Sequence, residues 1–467
     1  MTPTDALNRE HQQYRASADQ CVAAAAWLAS RDPLRPRYHL TPPAQWMNDP
    51  NGPVFFDGEY HLFYQHNPYG SVWGNMSWGH AVSTDLVRWK HLPIALVPNP
   101  EGYDRAGVYS GCCVDHEGIP HILYTAVDHQ AAQQQTQALA YSHDRLITWT
   151  KAPQPVIPNA PDGPVPDFRD PFCWREGDTW NMALCHASTA TKSVVRYTSK
   201  DLRQWEYRGV IYDQFSNVPE CPNLFPLGDK WLLTVSPYGD VIYALGDYRD
   251  GQFLPQGPWQ ALDLGGSAAF YAPNTLFDLS GQKMMWGWVR GGGSPQSPWN
   301  GCFSLPRVLD LANDKTLTIH PHAALTSLRG AKREYGNLQL DAGVRVPLPE
   351  LPGPGTELTG TFKVGEMSRC GLEIAGAGPE GKPLTITYDA AKGRLSCGTA
   401  GGTFRLPVGE RLELRVFLDR SVLEIYANSR AALTARFHPK NPARPELFAW
   451  SDGESLAHLT AWALADI

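Results

Sequence analysis

The chain has 467 residues, with 42 glycines, 40 prolines, 16 tryptophans, 19 tyrosines and a formal charge of −7 without any basic run. That length exceeds one small domain, and the acidic balance excludes nucleic acid and anionic membrane as expected partners. No apolar stretch reaches membrane-spanning length, and nine scattered cysteines without a Cys-x-x-Cys pair read as mostly reduced thiols, which predicts a cytoplasmic location.

Residues 1–35 form an N-terminal extension whose pattern predicts an amphipathic helix over about residues 4–30. The apolar stretch Cys21 to Ala29 is short and follows Asp5, Glu10 and Asp19, so it reads as the end of that helix, not as a signal peptide. Strand character starts near His39. The stretch Trp46-Met47-Asn48-Asp49-Pro50-Asn51-Gly52 is rich in turn formers, and Val54 to Tyr64 reads as two short strands around a turn at Asp57-Gly58. On that stretch alone, Asp49 is as well explained as a turn residue as by any chemistry.

A repeat changes that reading. Glycines 58, 118, 177, 228 and 281 each open a short strand rich in aromatic or apolar residues, at spacings of 60, 59, 51 and 53 residues. A second phrase, Ser-x-Asp followed by Trp, recurs at Ser83-Thr84-Asp85, Ser142-His143-Asp144 and Ser199-Lys200-Asp201. Strand-and-turn repeats of this length predict one four-stranded blade each, hence an all-β fold opening with a five-bladed β-propeller over 36–320. Asp85, Asp144 and Asp201 are read as structural residues closing outer hairpins. Binding propellers of the Kelch type have similar periods, so the architecture alone does not make an enzyme.

Residues 321–340 lose the repeat and are read as a linker. Residues 341–467 then alternate, as in Leu412-Glu413-Leu414-Arg415-Val416-Phe417-Leu418, and predict a C-terminal β-sandwich. Its Asp419, Arg420 and Glu424 are read as structural.

Counting back from the repeat glycines by nine, eight, seven, eight and ten residues reaches Asp49, Ser110, Asp170, Glu220 and Tyr271. These should start the innermost strands, so Asp49, Asp170 and Glu220 should converge on one face of the propeller axis. Three clustered carboxylates repel one another, which is costly without a use. Calcium binding is one use, but no Asp-rich loop of suitable local spacing accompanies them. Glycoside hydrolysis is another, since it needs one ionised and one protonated carboxyl. Arg169 is expected to keep Asp170 charged. The apolar flanks of Glu220, Val218-Pro219 and Cys221-Pro222, suit a raised pKa.

Trp46 to Gly52, Tyr60-His61-Leu62-Phe63-Tyr64-Gln65, Trp78-Gly79-His80-Ala81, Arg169-Asp170-Pro171, Glu220-Cys221-Pro222, Gly287-Trp288, Leu305-Pro306-Arg307 and Leu418 to Ile425 occur in this order. The set resembles glycoside hydrolase family 32, which includes invertases, sucrose-6-phosphate hydrolases, inulinases and levanases. The resemblance implies a propeller plus sandwich and retention at the fructosyl C2. It implies Asp49 as nucleophile, Glu220 as acid and base, and Asp170 with Arg169 as stabiliser of the transition state. Asn48, Gln65, Trp73 and Ser110 match its sugar-binding positions. Tyr109, where the family often has Phe, is expected to bind substrate beside them, and Trp288, with Trp299 beyond it, is expected at the outer mouth. Gln65 could equally be a strand-end amide serving backbone, and Trp73 plain packing. No metal and no cofactor are expected. The expected partner is a small sugar, sucrose or a short fructo-oligosaccharide, and the protein is expected as a monomer or homodimer.

Three positions depart from the family pattern: Cys112, Ala269 and Asn274. They leave the aglycone side open, and with it the choice among sucrose, its phosphate and longer fructans. A fructosyltransferase, an inverting arabinanase-type enzyme and a non-catalytic carbohydrate-binding propeller are the alternatives.

Overall fold

Each of the five counted glycines sits at a positive φ, between 59° and 86°, in the turn that follows the innermost strand of a sheet. At Asp57-Gly58 both residues are left-handed, with φ of 50° and 86°, as a two-residue type I′ hairpin requires. The computed structural model describes residues 3–292, 297–349, 355–439 and 445–467.

Five antiparallel sheets follow one another around an axis. Their innermost strands are Gln45–Phe56, Gly107–His116, Asp167–Glu176, Glu220–Leu227 and Phe270–Phe277. The fold is a five-bladed propeller followed by a β-sandwich. The ring is closed by Trp299–Asn300, which leaves blade five and pairs in parallel with Gln45 and Trp46 of blade one. Trp299 is therefore a core residue, 1% exposed, with its indole N–H donated to Asp32 Oδ2 at 3.0 Å. It does not line the mouth, because the closing strand turns it under the N-terminal helix.

That helix, Pro3–Ser30, lies on blade one and packs Ala18, Val22 and Ala29 against Ile94, Val97 and Trp299. Asp19 Oδ1 accepts the Ile94 N–H at 3.0 Å and His11 Nε2 accepts the Val97 N–H at 3.2 Å. Among the described residues no helix is long and apolar enough to cross a membrane. All nine cysteines are free thiols.

The Ser-x-Asp phrases are local scaffolding. Asp85 Oδ1 accepts the N–H groups of Val87 and Arg88, and Asp201 Oδ1 those of Arg203 and Gln204. Ser83, Ser142 and Ser199 each donate to the Asp two residues on.

The stretch expected as a linker is largely sheet. After a short turn of helix, Ala323–Leu328, residues Arg329–Leu340 form a long edge strand paired with Ser455–Leu464. Only its last residue, Leu340, is fully buried, so the apolar alternation that reveals a strand is missing. It opens a six-stranded sheet that packs on a second six-stranded sheet around Leu358, Leu372, Ile386, Val416 and Leu459.

The propeller and sandwich are joined by buried charge. Arg307, fully buried, pairs with Asp263 at 2.7 Å and Glu424 at 2.8 Å. Glu424 also accepts the Leu305 N–H at 2.7 Å and meets His39 Nε2 at 3.1 Å. Asp419 accepts the backbone N–H groups of Arg37, Tyr38 and His39. Burial alone would raise the Glu424 pKa, but Arg307 and His39 hold it down to about 2. These sandwich acids are thus the structural residues that their strand positions predict.

Candidate active site

Every innermost strand carries a bulge at its leading end. The ladder slips between Met47 and Pro50, Tyr109 and Gly111, Arg169 and Phe172, Glu220 and Asn223, and Tyr271 and Asn274. A bulge lifts residues out of the ladder and re-aims their side chains. Here it turns two residues per strand toward the axis and creates two rings.

One ring holds Asn48, Tyr109, Arg169, Glu220 and Tyr271. The other, one residue on, holds Asp49, Ser110, Asp170, Cys221 and Ala272. The register differs from that given by the glycine count, which set Glu220 and Tyr271 level with Asp170. The hairpin between bulge and glycine varies in length from blade to blade, so the turn is a loose ruler for the bulge. Asp170, Cys221 and Ala272 have φ of 62°, 48° and 45°, left-handed values costing on the order of 1–3 kcal/mol each.

All ten predicted site residues line one cavity of about 470 Å³: Asn48, Asp49, Gln65, Trp73, Tyr109, Ser110, Arg169, Asp170, Glu220 and Trp288. Asp49 Oδ2 accepts the Ser110 hydroxyl at 2.6 Å, and its Oδ1 accepts the Asn48 amide at 3.1 Å. Asn48 is itself held by the Trp46 indole at 2.6 Å. Asp170 Oδ2 accepts the Cys221 backbone N–H at 2.9 Å, and the Cys221 sulfur lies 3.7 Å from both Asp49 and Asp170.

Glu220 is differently placed. Arg169 Nη2 donates to its Oε1 at 2.9 Å, and Tyr271 donates to its Oε2 at 2.7 Å. The less polar setting expected from its flanks is not found, because Val218 turns into the core while the carboxylate turns to the guanidinium. Arg169 also pairs with Asp167 and bonds Tyr238 at 2.6 Å, leaving Asp170 at 3.8 Å.

Burial pushes the Asp49 carboxyl up to about 6, the Ser110 bond opposes this, and the Glu220 charge adds to it. Burial raises Asp170 as well, and Arg169 does not reverse the shift. Holding Asp170 ionised was the role expected of Arg169. Its guanidinium is instead directed at Glu220 and Asp167.

The rim is aromatic. Trp73 is 56% exposed and meets Tyr109 edge-on at 5.9 Å. Trp288 meets Trp46 at 5.6 Å, and the Arg290 guanidinium lies 4.8 Å over the Trp288 ring. Gln65 is 2% exposed and its amide donates to the Val108 carbonyl at 3.0 Å, so it serves backbone as well as wall. None of Cys112, Ala269 and Asn274 lines the cavity. Asn274 instead donates across the axis to the Gly111 carbonyl at 3.2 Å.

Residues not named from the sequence as site candidates also line it: Trp46, Met76, Gln135, Asp167, Tyr238, Tyr271 and Arg290. Tyr271 had its place in the glycine count, and Arg290 follows Trp288 by two and so shares its side of the strand. Tyr238 and Gln135 have no local signal. Among the described residues, no group of three or more His, Cys, Asp or Glu side chains is set to hold a metal ion.

Comparison with known proteins decides the family. The domain described as Glycosyl hydrolases family 32 N-terminal domain matches residues 39–321, and Glycosyl hydrolases family 32 C terminal matches residues 324–463. The chain belongs to glycoside hydrolase family 32. Its relatives include a levanase of Bacillus subtilis strain 168, 33% identical over 493 residues, covering 93% of this chain and 71% of that protein. A sucrose-6-phosphate hydrolase of Escherichia coli is 33% identical over 489 residues, covering 97% and 99%. Among solved structures, a family 32 beta-fructofuranosidase of Bombyx mori superposes with a TM-score of 0.82 at 27% identity, over 97% of this chain and 99% of that one. Fructan 1-exohydrolase IIa of Cichorium intybus gives 0.83 at 25% identity, over 93% and 98%. This family 32 member is a glycoside hydrolase of the beta-fructofuranosidase type.

Proposed function

We propose that the protein is a retaining β-fructofuranosidase that releases terminal fructose from sucrose or short fructo-oligosaccharides. An Asp49 oxygen attacks the fructosyl C2 while Glu220 gives its proton to the glycosidic oxygen, and the aglycone leaves. Glu220 then takes a proton from water, the resulting hydroxide attacks C2, and the C2–Asp49 ester breaks to free fructose. Asp170 holds fructose hydroxyls, and Arg169 positions Glu220. The mechanism requires the two reacting carboxyls about 5–5.5 Å apart.

The observation that carries this reading is the unlike setting of two carboxyls in one funnel. Asp49 is bonded to Ser110 of its own ring and to Asn48 of the neighbouring ring. Glu220 stands on the other ring between a guanidinium and a phenol, with 19% of its side chain exposed toward the funnel. The Asn274–Gly111 bond closes the axis below, so the funnel suits a terminal sugar better than a chain threading through.

The test is to measure released fructose for Asp49→Ala and Glu220→Ala, with folding checked separately. Loss of about a thousandfold or more in kcat is expected for Asp49→Ala. Proton NMR of the first anomer formed should show retention. Near wild-type turnover in a folded Asp49→Ala protein, or an inverted first product, would refute the assignment.

One observation favours a narrower substrate. Besides Arg169, Arg290 is the only cationic side chain lining the funnel among the described residues, and it sits at the rim on Trp288. A guanidinium there suits a phosphorylated aglycone such as that of sucrose 6-phosphate.

A further inference from the structure

The propeller axis has a second cavity, at the opposite end from the funnel. The same five inner strands supply its wall, from Pro53 in blade one to Phe277 in blade five, farther along each strand than the carboxylates. Its volume is about 400 Å³. Asn274, which closes the axis by bonding Gly111, lies in its wall, so the two cavities are separate spaces.

Lys283 lines this cavity and is 4% exposed. Its side chain has no ion pair and no hydrogen bond among the described residues. Its amine instead lies 4.2 Å from the ring centres of Phe225 and Phe277 and 5.8 Å from that of Phe172. Burial lowers its pKa well below the usual lysine value. The nearest acid in the wall, Glu176, is exposed and accepts the Trp174 indole N–H at 2.9 Å. A buried cation is normally paired or absent, because desolvation without a partner is costly. Here the aromatic faces recover part of that cost through the ring quadrupoles, and the hydrogen-bonding capacity of the amine is unmet among the described residues.

We propose that this cavity is a second binding site, for a small monocarboxylate with an aryl or short alkyl body. The carboxylate pairs with Lys283 and the body lies among the phenylalanine rings. Lys283 is the buried cation of this wall, whereas Arg175, its other cation, is exposed and lies 5.6 Å over the Trp180 ring. One buried cation matches one negative charge, whereas a phosphate dianion would leave a charge uncompensated. A largely apolar cavity of this size with a few buried polar groups, here Asn274, Thr275 and Lys283, is the ordinary form of a small-molecule site.

The test is isothermal titration of the full chain with 3-phenylpropionate and, in parallel, 3-phenylpropanamide. Saturable one-to-one binding of the acid is expected, unaffected by saturating fructose. Binding should weaken by about tenfold or more for the amide, and likewise for the acid with Lys283→Met. The amide comparison uses the unaltered protein, so it decides the matter even if the variant folds poorly. Absence of saturable binding, equal affinity of acid and amide, displacement by fructose, or a folded Lys283→Met protein that binds the acid unchanged would each overturn the proposal.

Discussion

The Ser110→Ala variant separates two roles that one hydroxyl could have. Ser110 donates to Asp49 Oδ2 at 2.6 Å and is 6% exposed. A hydrogen bond to a charged group contributes about 1.5–3 kcal/mol, and one pKa unit corresponds to about 1.4 kcal/mol. Removing the bond destabilises the carboxylate relative to the acid, so the Asp49 pKa should climb by about 1–2 units from a value already pushed to about 6. The nucleophile works only when ionised. The acid limb of kcat/KM for sucrose, which reports the free enzyme, should therefore move from about pH 6 to about pH 7–8. Below the limb the variant loses about ten- to a hundredfold relative to wild type, and that ratio shrinks as the pH rises through the limb. The assay is a kcat/KM profile from pH 4 to about 9. A limb that stays in place, with the same fractional loss at every pH, would show that Ser110 only holds sugar.

Two other substitutions probe the rim and the domain junction. Arg290→Ala should raise KM for sucrose 6-phosphate by about ten- to a hundredfold while changing KM for sucrose by less than about threefold. Equal effects on both substrates would remove Arg290 from phosphate recognition. Glu424→Ala leaves Arg307, His39 and the Leu305 N–H short of an acceptor in a buried setting. A loss of about 3–5 kcal/mol is expected, read as a lower urea midpoint by tryptophan fluorescence. Glu424→Gln, which keeps an acceptor, should lose less, and an unchanged midpoint for Glu424→Ala would refute the account.

The fold was legible where local rules act alone. Type I′ and related turns demand glycine, so the five blades announce themselves at glycines 58, 118, 177, 228 and 281. The strand Arg329–Leu340 was hidden because an edge strand with one buried end residue needs no apolar alternation. Trp299 was misplaced for a related reason. Its position follows from a closing strand of two residues, too short to leave a pattern. Asp167, Tyr238 and Gln135 reach the cavity through the turning of three different blades. For Tyr238 and Gln135 that neighbourhood is a property of the assembled ring and of no local segment, whereas Asp167 stands two residues before its partner Arg169 on one strand.

The bulges tie the motifs to the chemistry. Pro50, Pro171, Pro222 and Pro273 each follow a residue of the ring that holds Asp49, and Gly111 takes that place in blade two. Pro171, Pro222 and Pro273 fall inside the slip, where a residue makes no ladder bond and a proline forfeits none, whereas Pro50 and Gly111 are the first paired residues after it, opposite Tyr64 and Tyr124. At Gly111 a Cβ would come within 2.0 Å of the Leu123 carbonyl oxygen, so that strand approaches its neighbour too closely for a side chain. Aligning the chain on these residues, not on the turn glycines, places Glu220 level with Arg169 and Tyr271 and one residue before the level of Asp49. That single-residue offset gives the two carboxyls different neighbours. Asp49 meets a serine hydroxyl and a thiol, whereas Glu220 meets a guanidinium and a phenol. Two acids on one ring would share one environment. Two acids on adjacent rings are held in separate ones, which a division into nucleophile and proton donor requires.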